Sequence, residues 1–199
     1  MIKRPAFLFT FLLAFLVALP AFAGAPTDFV KKKSESLFEV VNQPVGAKRT
    51  KALKAEARAL VNYEELAKRA LGKHWDARTD AEKKSFIDLL ERLVELNYAN
   101  RFQAKSKTIK YTVAYSGEKV RESTGQAIVK TKVTYGDEVF TLDYKLITKK
   151  GGEPTIYDAV FDDISLEETY RESYVPIIEK EGWPSLISRM EKKLKDLEK

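Results

Sequence analysis

The chain contains no cysteine in 199 residues. Disulfide scaffolds, thiolate metal sites, cysteine nucleophiles and Cys-anchored lipoproteins are therefore excluded. Histidine is scarce too, with His74 as its single example. A hydrolytic triad needs a base held beside its nucleophile. Nothing near Gly72-Lys73-His74-Trp75 supplies such a partner, so His74 reads as a loop residue next to Trp75. G-x-S-x-G, H-E-x-x-H and glycine-rich phosphate loops are all missing, and no cofactor is implied. No segment beyond residue 23 is apolar enough to span a bilayer. Internal repeats and Pro/Gly/Ser-rich linkers are absent as well, which leaves the rest of the chain as one domain.

What is present is the composition of a folded protein: 44% hydrophobic and 32% charged residues. A net charge of +6 is too mild to argue for nucleic acid without a reader motif, and none is found. Residues 1–23 look like an address. Lys3 and Arg4 precede an apolar run from Ala6 to Leu19, and Pro20 leads into Ala21-Phe22-Ala23. A basic start, a short apolar stretch and a small-residue site make a secretory signal peptide, with cleavage expected after Ala23. The expected location is outside the cytoplasm. Charge is uneven beyond that point: residues 24–110 carry 19 bases against 12 acids, and residues 111–199 carry 14 against 17. A basic helical half could meet anionic headgroups or an acidic partner, or could be solvated helix faces with i, i+4 pairs.

The periodicity changes twice along residues 24–199. About 27–104 is helical, about 108–164 alternates like strands, and about 165–197 is helical again. Phe29, Leu37, Val40 and Val41 share a face of the first helix, which Pro44 and Gly46 end. A second helix runs from about Lys48 to Leu60. Asn62 with Glu65, and Thr79 with Glu82, read as capping boxes. The latter opens the longest helix, with Phe86, Leu89, Leu90, Leu93, Val94 and Asn97 at i, i+3, i+4 spacing. The strand segments alternate around Tyr111–Tyr115, Ala127–Tyr135 and Phe140–Leu146, and Ile156 to Ile164 reads as the last strand. Ser165 with Glu168 caps a helix to about Lys180, and Pro184 opens another. Helices, then strands, then helices predict an α+β fold, with helices packed on one side of a curved antiparallel sheet. That arrangement resembles the NTF2/cystatin-like cone, a layout that commonly leaves a cavity between the sheet and the long helix.

Asp158, Asp162 and Asp163 fall on or beside the last strand. A carboxylate inside an apolar cone is how an NTF2-like isomerase places a base, and Asp158 is the candidate. The plainer reading is that Asp158 accepts hydrogen bonds at a strand end. Glu167 and Glu168 are first-turn acids of the kind a helix dipole favours.

Two stretches carry a family resemblance. Tyr63-Glu64-Glu65-Leu66-Ala67-Lys68-Arg69-Ala70-Leu71-Gly72, then Trp75 and Thr79, resembles the central helical signature of the MlaC family. Tyr157-Asp158-Ala159-Val160, followed by Ile164-Ser165-Leu166, Tyr170-Arg171 and Gly182…Leu186-Ile187, is similar to its strand-to-helix junction. Two positions depart from it: Asp163 stands where the family usually has Gly, and Pro154 where it often has Trp. The resemblance implies a non-enzymatic periplasmic phospholipid carrier of the Mla (toluene-tolerance, outer-membrane asymmetry) system. Its implied partners are phospholipid, an outer-membrane lipoprotein complex and an inner-membrane ABC transporter complex. The candidate lining is Leu90, Val94, Val113, Val129, Val133, Leu142, Tyr144, Leu146, Val160, Ile164 and Tyr174, although parity does not separate cavity wall from packed core. Two rivals stand beside this reading: an NTF2-like enzyme on a hydrophobic substrate using Asp158, and an exported adaptor that docks through its basic helices.

Overall fold

A computed structural model describes residues 24–103 and 111–198, with the side chains of residues 98–103 left aside. The signal-peptide reading lies outside the described residues. Six helices and five strands follow in order: α1 (Ala25–Val41), α2 (Ala47–Leu60), α3 (Tyr63–Leu71), α4 (Asp80–Gln103), β1 (Tyr111–Arg121), β2 (Gln126–Tyr135), β3 (Glu138–Thr148), β4 (Pro154–Phe161), β5 (Ile164–Ser165), α5 (Leu166–Glu181) and α6 (Trp183–Leu197). The strands form one antiparallel meander in the order β1-β2-β3-β4-β5. The architecture is α+β, with a curved, unclosed sheet. Among the described residues no helix is long and apolar enough to cross a membrane.

The caps explain where the helices start. The Asn62 side chain accepts from the Glu65 N–H at 3.0 Å. Thr79 and Glu82 form a complete capping box: the Glu82 carboxylate accepts from the Thr79 N–H, and Thr79 Oγ1 accepts from the Glu82 N–H. Ser165 Oγ accepts from the Glu168 N–H at 3.1 Å. The Asn62 and Ser165 caps run one way only, because Glu65 turns to Arg69 and Glu168 lies on the side of Lys145.

Two separate apolar cores result. One unites α3, α4, α5 and α6 around Leu66, Leu71, Phe86, Leu90, Leu93, Val94, Tyr174, Leu186 and Met190. The other lies under the sheet and joins Val30 of α1 to Ala127, Val129, Leu146 and Ile156, with Phe29 and Leu60 packed against it. The helix that covers the sheet is thus α1, where the long α4 was expected, and α4 belongs to the helical core. The buried stripe of α1 shares only Val40 with the one read from its hydrophobic residues. It runs Pro26, Val30, Ser34 and Val40, and the buried serine in that row hides it from a hydrophobic pattern.

The last strand differs from its sequence reading as well. The residues from Ile156 to Ile164 do not form one strand: β4 ends at Phe161, and a two-residue turn sends the chain back as β5. Both turn residues have positive φ, Asp162 at 43° and Asp163 at 65°. Asp tolerates this left-handed region better than most residues, and glycine suits it best. A glycine in place of Asp163 would fit this backbone directly. At the β1–β2 connection Gly125 has φ 66°, and a Cβ there would run into the Thr148 carbonyl.

The α2 helix is tied to α4 by charge. Arg58 bridges Glu91 and reaches Glu95 at 3.4 Å. Glu95 is buried, and desolvation, helped by the adjacent Glu91, holds its carboxyl above the ordinary 4.5 although Arg58 and Lys54 pull the other way. A carboxyl with a raised folded-state pKa supports folding fully below its unfolded pKa. It loses that support as pH rises through the folded value. Glu95→Gln should therefore match the wild type in thermal melts at pH 3 and exceed it at pH 7. A gap of equal size at both pH values would mean that ionisation is not the cause.

Candidate functional site

The inner face of the sheet is set by strand register. Tyr111 pairs with Tyr135, Val113 with Val133, and Val133 with Phe140. Val129 pairs with Tyr144, Ala127 with Leu146, Leu146 with Ile156, and Leu142 with Phe161. Opposed residues on antiparallel strands point to one side, so these side chains form a continuous apolar and aromatic surface.

That surface is closed at one end and open at the other. At the closed end Val30 of α1 seals Ala127, Val129, Leu146 and Ile156, all buried. Toward the β2–β3 turn Val113, Phe140 and Leu142 are only half-buried. Phe161 and Ile164, which pair across the β4–β5 turn, are 48% and 66% exposed. The Phe140 and Phe161 rings lie 4.8 Å apart. Exposed large apolar groups grouped beside a half-covered apolar face mark a binding surface more than a finished core.

Helix α1 is fastened over this face by a few polar contacts. The Glu118 carboxylate of β1 accepts from the backbone N–H of Gly24 and Thr27 and from the Thr27 hydroxyl. Ser34 hydrogen-bonds Tyr115 and Tyr144, and Phe38 stacks on Tyr111. Burial pushes the Tyr144 hydroxyl up to about 12 and raises Tyr111 and Tyr115 in the same direction. These phenols stay neutral, and the Glu118 carboxylate on this face is taken up by the start of α1. Among the described residues no group of three His, Asp or Glu side chains could hold a metal ion.

The structure sorts the candidate lining residues into groups. Val113, Val129, Val133, Leu142, Tyr144 and Leu146 share the inner sheet face, and Ile164 stands at its rim. Leu90, Val94 and Tyr174 lie in the separate helical core. Tyr174 packs edge-on to Phe86 and stacks on Tyr170 there. Val160 points to the opposite side of the sheet. The register slips at Tyr157, so that Leu146 faces Ile156 and Lys145 faces Asp158. That bulge puts Ala159 and Phe161 on the inner face and Val160 on the outer one. Simple alternation therefore missed Phe161. Phe140 was legible from its parity but was not among the candidates, and Ser34 and Phe38 gave no signal without α1 in place over the sheet.

Asp158 is also on the outer side, 1% exposed. Its carboxylate accepts from Ser165 Oγ at 2.6 Å and from the Glu167 N–H at 2.9 Å, and Lys145 Nζ lies 2.9 Å away. This is a strand-to-helix anchor facing away from the apolar surface. Asp162 closes the β4–β5 turn by accepting from the Thr141 N–H. His74 lies 3.5 Å from Glu179, beside the Lys73–Glu179 ion pair. A groove of about 600 Å³ between α4 and α6 is lined by Lys84, Asp88, Arg92, Glu191, Lys195 and Glu198 among others. Its charged walls set it apart from the sheet face.

Comparison with known proteins follows this geometry. A family model described as MlaC protein matches residues 31–192. The fold is similar to a solved structure of a phospholipid-binding protein from Ralstonia solanacearum in complex with a phospholipid. The TM-score is 0.76 at 19% identity, covering 86% of this chain and 98% of that one. No curated protein matches the chain.

Proposed function

This chain belongs to the MlaC family, and from that membership we propose that it is a periplasmic phospholipid carrier with no catalytic step. It buries acyl tails against the inner sheet face beneath α1 and leaves the headgroup outside. In this reading it shuttles lipid between an outer-membrane lipoprotein complex and an inner-membrane ABC transporter complex, after export and removal of residues 1–23. The domain that does so spans residues 24–199. The observation that supports the reading best is the apolar sheet face that α1 closes at Val30 and leaves half-covered from Val113 to Phe161. The structural likeness to a phospholipid-binding protein agrees with it.

The energetics fit a carrier. Each buried CH₂ is worth ~0.8 kcal/mol, so about 30 tail methylenes gain on the order of 24 kcal/mol on leaving water. A bilayer already supplies that gain. A carrier has to offer a comparably dry surface so that transfer is nearly isoenergetic, and a wall of aliphatic and phenolic groups does this. Of the proposed lining, Val113, Leu142 and Ile164 line the open part, Val133 is buried beside them, and Val129, Leu146 and Tyr144 belong to the closed end. Leu90, Val94 and Tyr174 support the helical body.

The test is gentle purification followed by native mass spectrometry and organic extraction. Phospholipid at one molecule per chain is the expected result, and it reports the number of tails directly. A folded protein that purifies empty and takes up no lipid from vesicles would overturn the proposal.

A further inference from the structure

The exposed side of α2 carries charge of one sign only. Its exposed residues are Ala47, Lys48, Lys51, Ala55, Arg58 and Ala59, every one alanine or a base. Its inward side buries Arg49 and Leu53. The helix has no acid in its first turn, where the dipole favours one, and places Lys48 and Arg49 there instead. Lys48 and Lys51 are three apart on one face, an arrangement of like charges that weakens a helix. At α3, α4 and α5 charges are balanced within three or four residues: Glu65 with Arg69, Arg78 with Glu82, Asp80 with Lys83, Glu167 with Arg171. In α2 the single acid is Glu56, with no base three or four residues away on either side. Among the described residues Lys48 and Lys51 have no acidic partner, whereas Arg58 is held by Glu91 and Glu95. The loop that leads into this face, residues 42–46, is exposed throughout, with Val45 at 50%.

We propose that the outer face of α2, together with Val45, is the surface by which the protein rests on an anionic phospholipid bilayer. The inference deepens the carrier reading and rests on it. An unneutralised basic face complements a negative surface. Protein hot spots favour aromatic and arginine anchors, and this face offers neither in a free state. Lysine stems can lie along the interface while their ammonium groups meet phosphate, and Val45 enters the boundary beside them. Because α2 follows α1 after only the five-residue loop 42–46, docking here brings the helix that covers the apolar sheet face close to the lipid.

Sedimentation of the purified protein with vesicles tests this. Phosphatidylglycerol-containing vesicles should bind it, with affinity falling as salt is raised, and pure phosphatidylcholine vesicles should not. Lys48→Gln with Lys51→Gln should weaken binding about thirtyfold, at ~1 kcal/mol per basic side chain near the surface. Lys192→Gln with Lys193→Gln makes the same change of charge on α6 and should cost far less. Equal binding to both vesicle types, an undiminished Lys48/Lys51 variant, or an equal loss for the α6 pair would each overturn the docking surface. So would a Lys48/Lys51 variant that stays on vesicles but loses an acidic protein partner. Extracted lipid is measured on the same preparations. A load unchanged by Lys48→Gln with Lys51→Gln keeps the carrier reading separate from the docking result, and an empty wild type would refute the carrier reading alone.

Discussion

Leu142→Glu should empty the protein of lipid while leaving it folded. Leu142 sits on the inner sheet face opposite Phe161, beside the Phe140–Phe161 ring pair. It is half-buried where Val129 and Leu146 are sealed, so a charge here has access to water in the empty protein and folding tolerates it. An acyl chain laid over the same position would remove that water. Leaving a carboxylate against hydrocarbon costs several kcal/mol. Transfer from a bilayer is nearly isoenergetic, so even about 3 kcal/mol lowers occupancy more than a hundredfold. The measurement is extracted phospholipid per protein, with circular dichroism and a thermal melt to show the fold is kept. Lys132→Glu is the control, a reversal of charge on the outer face of the neighbouring strand. Full lipid load in a folded Leu142→Glu variant would place the tails somewhere other than this face.

The parts of this surface that were legible in the sequence are those governed by neighbours along the chain. Val113, Val133, Leu142 and Tyr144 follow strict alternation through β1, β2 and β3, and the register keeps them together. Asn62, Thr79 and Ser165 announce their helices because a capping side chain acts within three residues. The rest depends on contacts that periodicity does not carry. One extra residue at Tyr157 exchanges the faces of everything after it, which moves Val160 out and Phe161 in. Two aspartates in the left-handed region turn one expected strand into two. An amphipathic pattern says that α4 has a buried side but not what lies against it. Leu90 and Val94 proved to pack with α3, α5 and α6, and the sheet received the shorter α1, whose buried stripe contains a serine. That serine is paired with Tyr115 and Tyr144, a contact that exists only once helix and sheet have met.

Asp158→Ala should be the most destabilising single change outside the apolar cores, and its outcome separates the carrier from the enzyme. The carboxylate joins three elements: Lys145 on β3, its own strand β4, and the first turn of α5 through Ser165 Oγ and the Glu167 N–H. Ser165 in turn caps α5 at the Glu168 N–H, so one side chain aligns the helix on the sheet edge. Truncation leaves a buried hydroxyl and a buried N–H without an acceptor, and leaves Lys145, itself mostly buried, only the more distant Glu168 at 3.8 Å. Removing one partner of a buried pair costs ~3–5 kcal/mol. Because Lys145 can still reach water, about 3 kcal/mol is expected, or roughly 6–12 °C in Tm. Ser165→Ala alone should cost about 1 kcal/mol. The double variant should fall short of the sum, because both changes break the same network. Lys145→Met added to Asp158→Ala should recover part of the loss by removing an ammonium left with Glu168 alone. An enzyme that used Asp158 as a base would behave otherwise. Asp158→Asn would then keep its Tm and abolish turnover of a hydrophobic substrate, and that pair of results would reverse the assignment. A fall in Tm, with lipid still bound in the fraction that remains folded, is what an anchor facing away from the apolar surface requires.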